Sequence, residues 1–314
     1  MKRILVICSS MALATAALAQ QSTIGIASGP PTGTNYPMVQ DIVRACSGPT
    51  LSIKNVQTAG GEENIYAVKS RPDVQFGVVP IDTAVFMSGQ DKATMDKIKM
   101  VFPFFSTEIH VAVPEKSPAK SVADLAGKRV VEGPQGSATY VTTQVFKELT
   151  GAKWQELTAS QVDGLNGLKT GKADAMFVVA GAPITMFKDP TLSAGIRLLP
   201  VQHSALDSVK YYVRTMIPGG TYPQIKQALP TYRVDNMLVT FDYRSSYHRE
   251  IAALTSCITQ RMDWLLQYAG KSAGEGGTHP KWKDVDPLNI DRLNWPAHPI
   301  AVATIKRELN RAKK

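Results

Sequence analysis

One short pattern occurs twice in this chain of 314 residues, and it restricts the fold more than any other feature. An apolar run reaches Gly29-Pro30, and Tyr36 follows seven residues after Gly29. A second apolar run reaches Gly133-Pro134, and Tyr140 follows seven residues after Gly133, so the two stretches are 104 residues apart. Later, Asp73-Val74-Gln75-Phe76 leads into Gly77-Val78-Val79, and Asp174-Ala175-Met176-Phe177 leads into Val178-Val179, at a spacing of 101. Two similar strand–loop–helix units in tandem are inferred.

The periodicity around these marks is that of an α/β protein. Thr23–Ala27 is an apolar strand, and Val39, Ile42, Val43 and Cys46 follow the i, i+3, i+4, i+7 spacing of a helix. Leu51–Thr58 alternates as a strand, a short helix is expected near Glu62–Lys69, and Phe76–Val79 is a buried strand ended by Pro80. That rhythm reads as a layer of largely parallel strands. Lys99–Phe105 and Ile109–Val113 read as two extended runs with no helix between them, and Ser121–Gly127 as a short capped helix. The second unit repeats the rhythm with strand Lys128–Val131, helices Tyr140–Leu149 and about Ser160–Lys169, and strand Ala175–Val179. After these come strand Val234–Phe241, one long helix Ser245–Ala269, a flexible Gly-rich loop at Gly270–Gly277 and a last helix over about 300–311. Trp282 and Trp295 flank a Pro-rich stretch expected to pack over one unit.

Residues 1–19 read as a secretory signal peptide: Lys2 and Arg3, then an apolar stretch, then Ala17-Leu18-Ala19 as a cleavage box. No Cys follows the box, so no lipid anchor is expected there. Removal leaves 33 basic and 26 acidic residues, a net charge of +7. The basic residues are dispersed except at the C-terminal end, and no basic stripe with interleaved aromatics is present, so no nucleic-acid partner is expected. The mature chain is expected to be a soluble periplasmic monomer. It retains Cys46 and Cys257, which in an oxidising compartment are expected to form one disulfide, two buried free thiols being the alternative.

Enzyme signatures are absent from the sequence. The five histidines lack metal-ligand spacing, no phosphate loop occurs, and no nucleophile–base pair stands out. Gly270-Lys271-Ser272-Ala273-Gly274 fits G-x-S-x-G by letter but follows a helix, not the strand that a nucleophile elbow needs. No catalytic residue, metal or cofactor is therefore expected. What recurs is a donor-rich loop ahead of a helix: Thr34, Asn35 and Tyr36 in the first unit, and Gln135, Ser137, Thr139 and Tyr140 in the second. First-turn N–H groups lack intrahelical acceptors and the helix dipole adds partial positive charge. If the loops face each other, they grip a small anion from two sides; ordinary N-capping by Thr34 and Ser137 is compatible with that role.

Six segments, in order, resemble the TRAP-associated extracytoplasmic immunogenic (TAXI) family of solute-binding proteins. Thr32-Gly33-Thr34-Asn35-Tyr36-Pro37 is similar to its T-G-G-T-Y-Y-P segment, and Thr58-Ala59-Gly60-Gly61 with Asn64 to S-T-G-G-S-x-x-N. Asp82 stands where the family has Q-S-D. Ser121–Thr139 is close to S-V-A-D-L-x-G-K-x-V-x-x-G-P-x-G-S-G-T, and Val178–Pro183 and Ile217–Pro223 complete the series. The sequence departs at Pro80-Ile81, Asn35, Glu62 and Ala138. The resemblance implies a two-lobed type II periplasmic binding protein, with lobe one at 20–107 and 231–314 and lobe two at 108–230. It would close on an amino acid such as glutamate, a dicarboxylate or a 2-oxoacid and deliver it to a sodium-coupled TRAP permease. Presentation of the ligand to a membrane sensor kinase is the alternative. It also brings Thr58, Asn64, Asp82 and Gly181 into the ligand-binding set, with Asp82 orienting donors or accepting from an amino group.

Overall fold

The computed structural model describes residues 21–242 and 247–312. The signal-peptide reading and the start of the helix expected from Ser245 lie outside the described residues. In the first unit β1 (Ser22–Ala27), α1 (Asn35–Cys46), β2 (Leu51–Val56), α2 (Gly61–Ser70) and β3 (Phe76–Pro80) alternate, and α3 (Ile81–Gln90) and α4 (Lys92–Met95) follow. β4 (Ile98–Pro114) leads to the second unit: β5 (Arg129–Val131), α5 (Ala138–Thr150), β6 (Gln155–Leu157), α6 (Gln161–Thr170) and β7 (Ala175–Ala180). Then come α7 (Thr185–Lys188), β8 (Ile196–Leu199), α8 (Ser204–Asp207), β9 (Val213–Ile217) and β10 (Leu229–Phe241). The chain ends with α9 (His248–Gln260), α10 (Met262–Gln267) and α11 (Pro299–Ala312).

The strands run in the order β2-β1-β3-β10-β4-β7-β5-β6, with β8 on β4 and β9 on β10. The two ends of that order mirror each other. β1, β2 and β3 are parallel and β10 runs antiparallel beside β3; β5, β6 and β7 are parallel and β4 runs antiparallel beside β7. β4 and β10 pair with each other, Arg233 opposite Glu108 and Val234 opposite Thr107. The doubled pattern of the sequence is thus a doubled topology, joined along two long strands. One hydrophobic cluster draws its buried residues from 24–105 and 237–305, and two others from 109–234.

Several expectations need correcting. The runs Lys99–Phe105 and Ile109–Val113 are one strand: Ser106, Thr107 and Glu108 between them are buried and laddered to β10, so their polarity does not break the extended backbone. The long helix is interrupted at Arg261, whose φ of −93° and ψ of 1° separate α9 from α10. The Gly-rich loop is pinned: Ser272 and Glu275 form a capping box, and Gly270 N donates to Thr278 O at 2.9 Å. Ser272 therefore caps a turn. Trp282 is fully buried and its indole donates to Asp41 at 2.8 Å. Among the described residues no helix is long and apolar enough to cross a membrane.

Candidate functional site

In each unit the chain leaves its first strand for one neighbour and then crosses to the other side. The crevice beyond the strand ends at such a switch point is where open α/β sheets hold ligands. Here two switch points share one cavity of about 130 Å³. Four helices begin at its wall, with Thr34 and Asn35 from α1, Gly60 before α2, Ser137 to Thr139 from α5 and Ser160 to Val162 from α6. Gly133, with φ +82°, turns the chain from β5 toward α5; a Cβ there would lie 3.0 Å from both Ser137 Oγ and Thr139 Cβ. The two sides touch. A Cβ on Gly61 would lie 2.8 Å from the Ala138 backbone, and Glu63 N donates to Gly136 O at 3.1 Å.

The polar wall is built from groups with bonding capacity to spare. Ser137 Oγ accepts from Tyr140 N at 3.1 Å and Thr139 Oγ1 from Val179 N at 3.0 Å. Asn35, Ala138 and Thr139 lie in first turns, and their N–H groups have no acceptor among the described residues. No Asp, Glu, Lys, Arg or His lines the cavity, and the rest of the wall is largely apolar, with Val131, Met176, Phe177 and Val179 at its floor.

Of the residues expected at the site, Thr34, Asn35, Ser137 and Thr139 line this cavity. The others lie off its lining. Thr34 Oγ1 donates to Gly181 O at 2.8 Å, which puts Gly181 just behind the wall. Tyr36 and Tyr140 are half-buried, and Gln135 is exposed. Thr58 and Asn64 form a bracket: Thr58 Oγ1 donates to Asn64 Oδ1 at 2.6 Å, and Asn64 Nδ2 donates to Ser28 O and Val78 O. Asp82 is fully buried and accepts from Thr83 N, Thr142 Oγ1 at 2.6 Å and Tyr212 OH at 3.1 Å. Burial pushes its carboxyl up, against those hydrogen bonds, and it ties α3 to the second unit. Sequence reasoning missed Ser160, Gln161 and Val162. The signal was present, since α6 stands in the second unit where α2 stands in the first.

Behind Gly181, Lys281 Nζ sits 2.6 Å from Glu108 Oε1 and 2.5 Å from Asp284 Oδ2, and Ala182 N donates to Glu108 Oε2. Nearby, His110 Nε2 lies 2.9 Å from Tyr222 OH, and burial lowers the imidazole pKa to about 4, so it is neutral at pH 7. Among the described residues no cluster of three or more His, Cys, Asp or Glu is placed to hold a metal. Cys46 and Cys257 are joined in a disulfide, Cα–Cα 5.8 Å, so the thiol alternative falls.

Solved structures share this architecture at low identity. The periplasmic sulfonate-binding protein SsuA, assigned to a sulfonate ABC transporter of Methylobacillus flagellatus KT, is 13% identical over 92% of this chain and 95% of that chain, with a TM-score of 0.51. A chain assigned to an L-cystine ABC transporter of Listeria monocytogenes is 15% identical over 82% and 99%, with a TM-score of 0.51. A periplasmic transporter is 15% identical over 93% and 96%, with a TM-score of 0.52. The fold is thus the mixed α/β fold of type II periplasmic substrate-binding proteins. The sequence profile of the NMT1-like family matches residues 26–248, more than two thirds of the chain. The chain belongs to the NMT1-like family.

Proposed function

We propose that the protein is a periplasmic solute-binding protein that does no chemistry on its ligand, captures a small organic anion in the cavity between the two switch points, and passes it to a TRAP permease. The carrying observation is the convergence of four helix N-termini on one cavity that contains no charged side chain, with first-turn N–H groups of α1 and α5 left without an acceptor among the described residues. Such an array favours negative charge without burying a cation. The permease class rests on the resemblance to TAXI proteins, as does delivery in the periplasm after removal of residues 1–19. The lobes are 20–107 with 231–314 and 108–230. The separate hydrophobic clusters support that division, and the paired strands β4 and β10 near Glu108 and Arg233 are the crossing about which the lobes hinge.

A melting screen of the mature protein against small organic acids tests this. At least one acid should raise the melting temperature. Ser137→Ala should reduce that ligand's binding free energy by about 1–2 kcal/mol, with no more than about 1 kcal/mol lost from the empty protein as a cap. A ligand bound equally well by Ser137→Ala would sink the proposal.

A further inference from the structure

We infer that the cavity takes a small monocarboxylate with a compact apolar body, a branched short-chain acid or its 2-oxo form, and rejects dicarboxylates and amino acids. This rests on the cavity being the ligand site, as proposed above, and narrows what that site accepts.

Bond polarity calls for an acceptor. Ser137 and Thr139 are 5% and 6% exposed. Each hydroxyl oxygen already accepts from a backbone N–H, so each has its hydrogen left to donate, and none of the described residues takes it. A buried donor without an acceptor is costly. The missing partner is therefore an acceptor, and beside the free N–H groups of Ala138 and Thr139 at the start of a thirteen-residue helix it is best an anionic oxygen.

Charge limits the ligand to one carboxylate. One carboxylate suits the helix ends. A second would have to leave water with no cation in the lining, and an ammonium would enter with no carboxylate to meet it. Nearby acidic groups are committed elsewhere: Glu132, between the lining residues Val131 and Gly133, is engaged by Lys147, Trp154 and Gln144. Asp82 is engaged by Thr83, Thr142 and Tyr212, Glu63 accepts from Ala59 N at 2.6 Å, and Asp163 accepts from the Ser160 hydroxyl at 2.7 Å.

Size and surface limit the rest of the ligand. The volume of about 130 Å³ is near that of apolar cavities of roughly 150 Å³ that admit benzene, which sets the ligand at roughly five to eight non-hydrogen atoms. Val131, Met176, Phe177, Val179 and Val162 offer that body apolar contact.

Isothermal titration at pH 7 of the mature, disulfide-intact protein, stripped of carried ligand by unfolding and refolding, is the test. The probes are isovalerate, 3-methyl-2-oxobutanoate, succinate, L-glutamate and L-valine. At least one of the two monocarboxylates should bind about 100-fold or more tighter than the last three, and Ser137→Ala should weaken it by about tenfold. Succinate, glutamate or valine binding as tightly overturns the inference. If Ser137→Ala then weakens that ligand, the cavity stands and only the ligand class falls; if not, both fall. Failure of all five to bind also overturns the inference, while the cavity is then judged by the wider melting screen.

Discussion

The ammonium of Lys281 and the carboxylate of Glu108 meet where the two units adjoin, with side chains 7% and 10% exposed. Burial pushes the Glu108 carboxyl up despite the lysine beside it. Removing one member of a buried pair leaves a charge with no counter-charge and costs about 3–5 kcal/mol. Lys281→Met should therefore lower stability by that order at neutral pH, read from urea unfolding. The sign with pH follows from the carboxyl. Without the lysine, its folded pKa rises further above the unfolded value near 4.3. A group raised in the folded state stabilises fully below its unfolded pKa and loses that contribution as pH rises through the folded one. The deficit of Lys281→Met should thus be largest at pH 7 and shrink on acidification toward pH 4; a deficit constant with pH would show that packing, not charge, is what the lysine supplies. None of this was legible in the sequence, because Glu108 and Lys281 are 173 residues apart and neither belongs to a motif.

Among the elements, helix spacing and strand alternation located β1, α1, α5, α6 and β7 to within a few residues, because each buries one face or both faces in a repeating pattern. α3 escaped because Pro80 ends the β3 run and reads as a stop, whereas it stands as the residue just before a helix. β4 escaped as one element because its middle is polar yet buried. The disulfide was expected from the sequence, and the docking of α1 on α9, whose Val39 and Ile42 share a core with Leu254 and Ile258, brings its two cysteines together. It closes a separation of 211 residues. A loop that long removes about 5 kcal/mol of unfolded-state entropy on the chain-entropy model. Thiol titration of unfolded, unreduced mature protein should find no free thiol, and reduction should lower the unfolding midpoint. Two titratable thiols would overturn the pairing in solution.

At the scale of the molecule, the doubled Gly-Pro pattern foretold a doubled topology because each turn into a first helix needs the same small, donor-rich residues. The site was legible in part for the same reason. Loops that carry the pattern supply Thr34, Asn35, Ser137 and Thr139, whereas Asn64 and Asp82 hold the frame, and the start of α6, though expected as a helix, was not expected at the cavity. The central claim is that free N–H groups at helix ends grip the ligand. Hydrogen exchange, recorded at saturating levels of the acid that most raises the melting temperature and again without it, tests that claim most directly. The account predicts new protection at Asn35, Ala138 and Thr139, and at Gln161 and Val162 at the start of α6. Protection confined to other segments, with these amides exchanging as fast as in the empty protein, would contradict it.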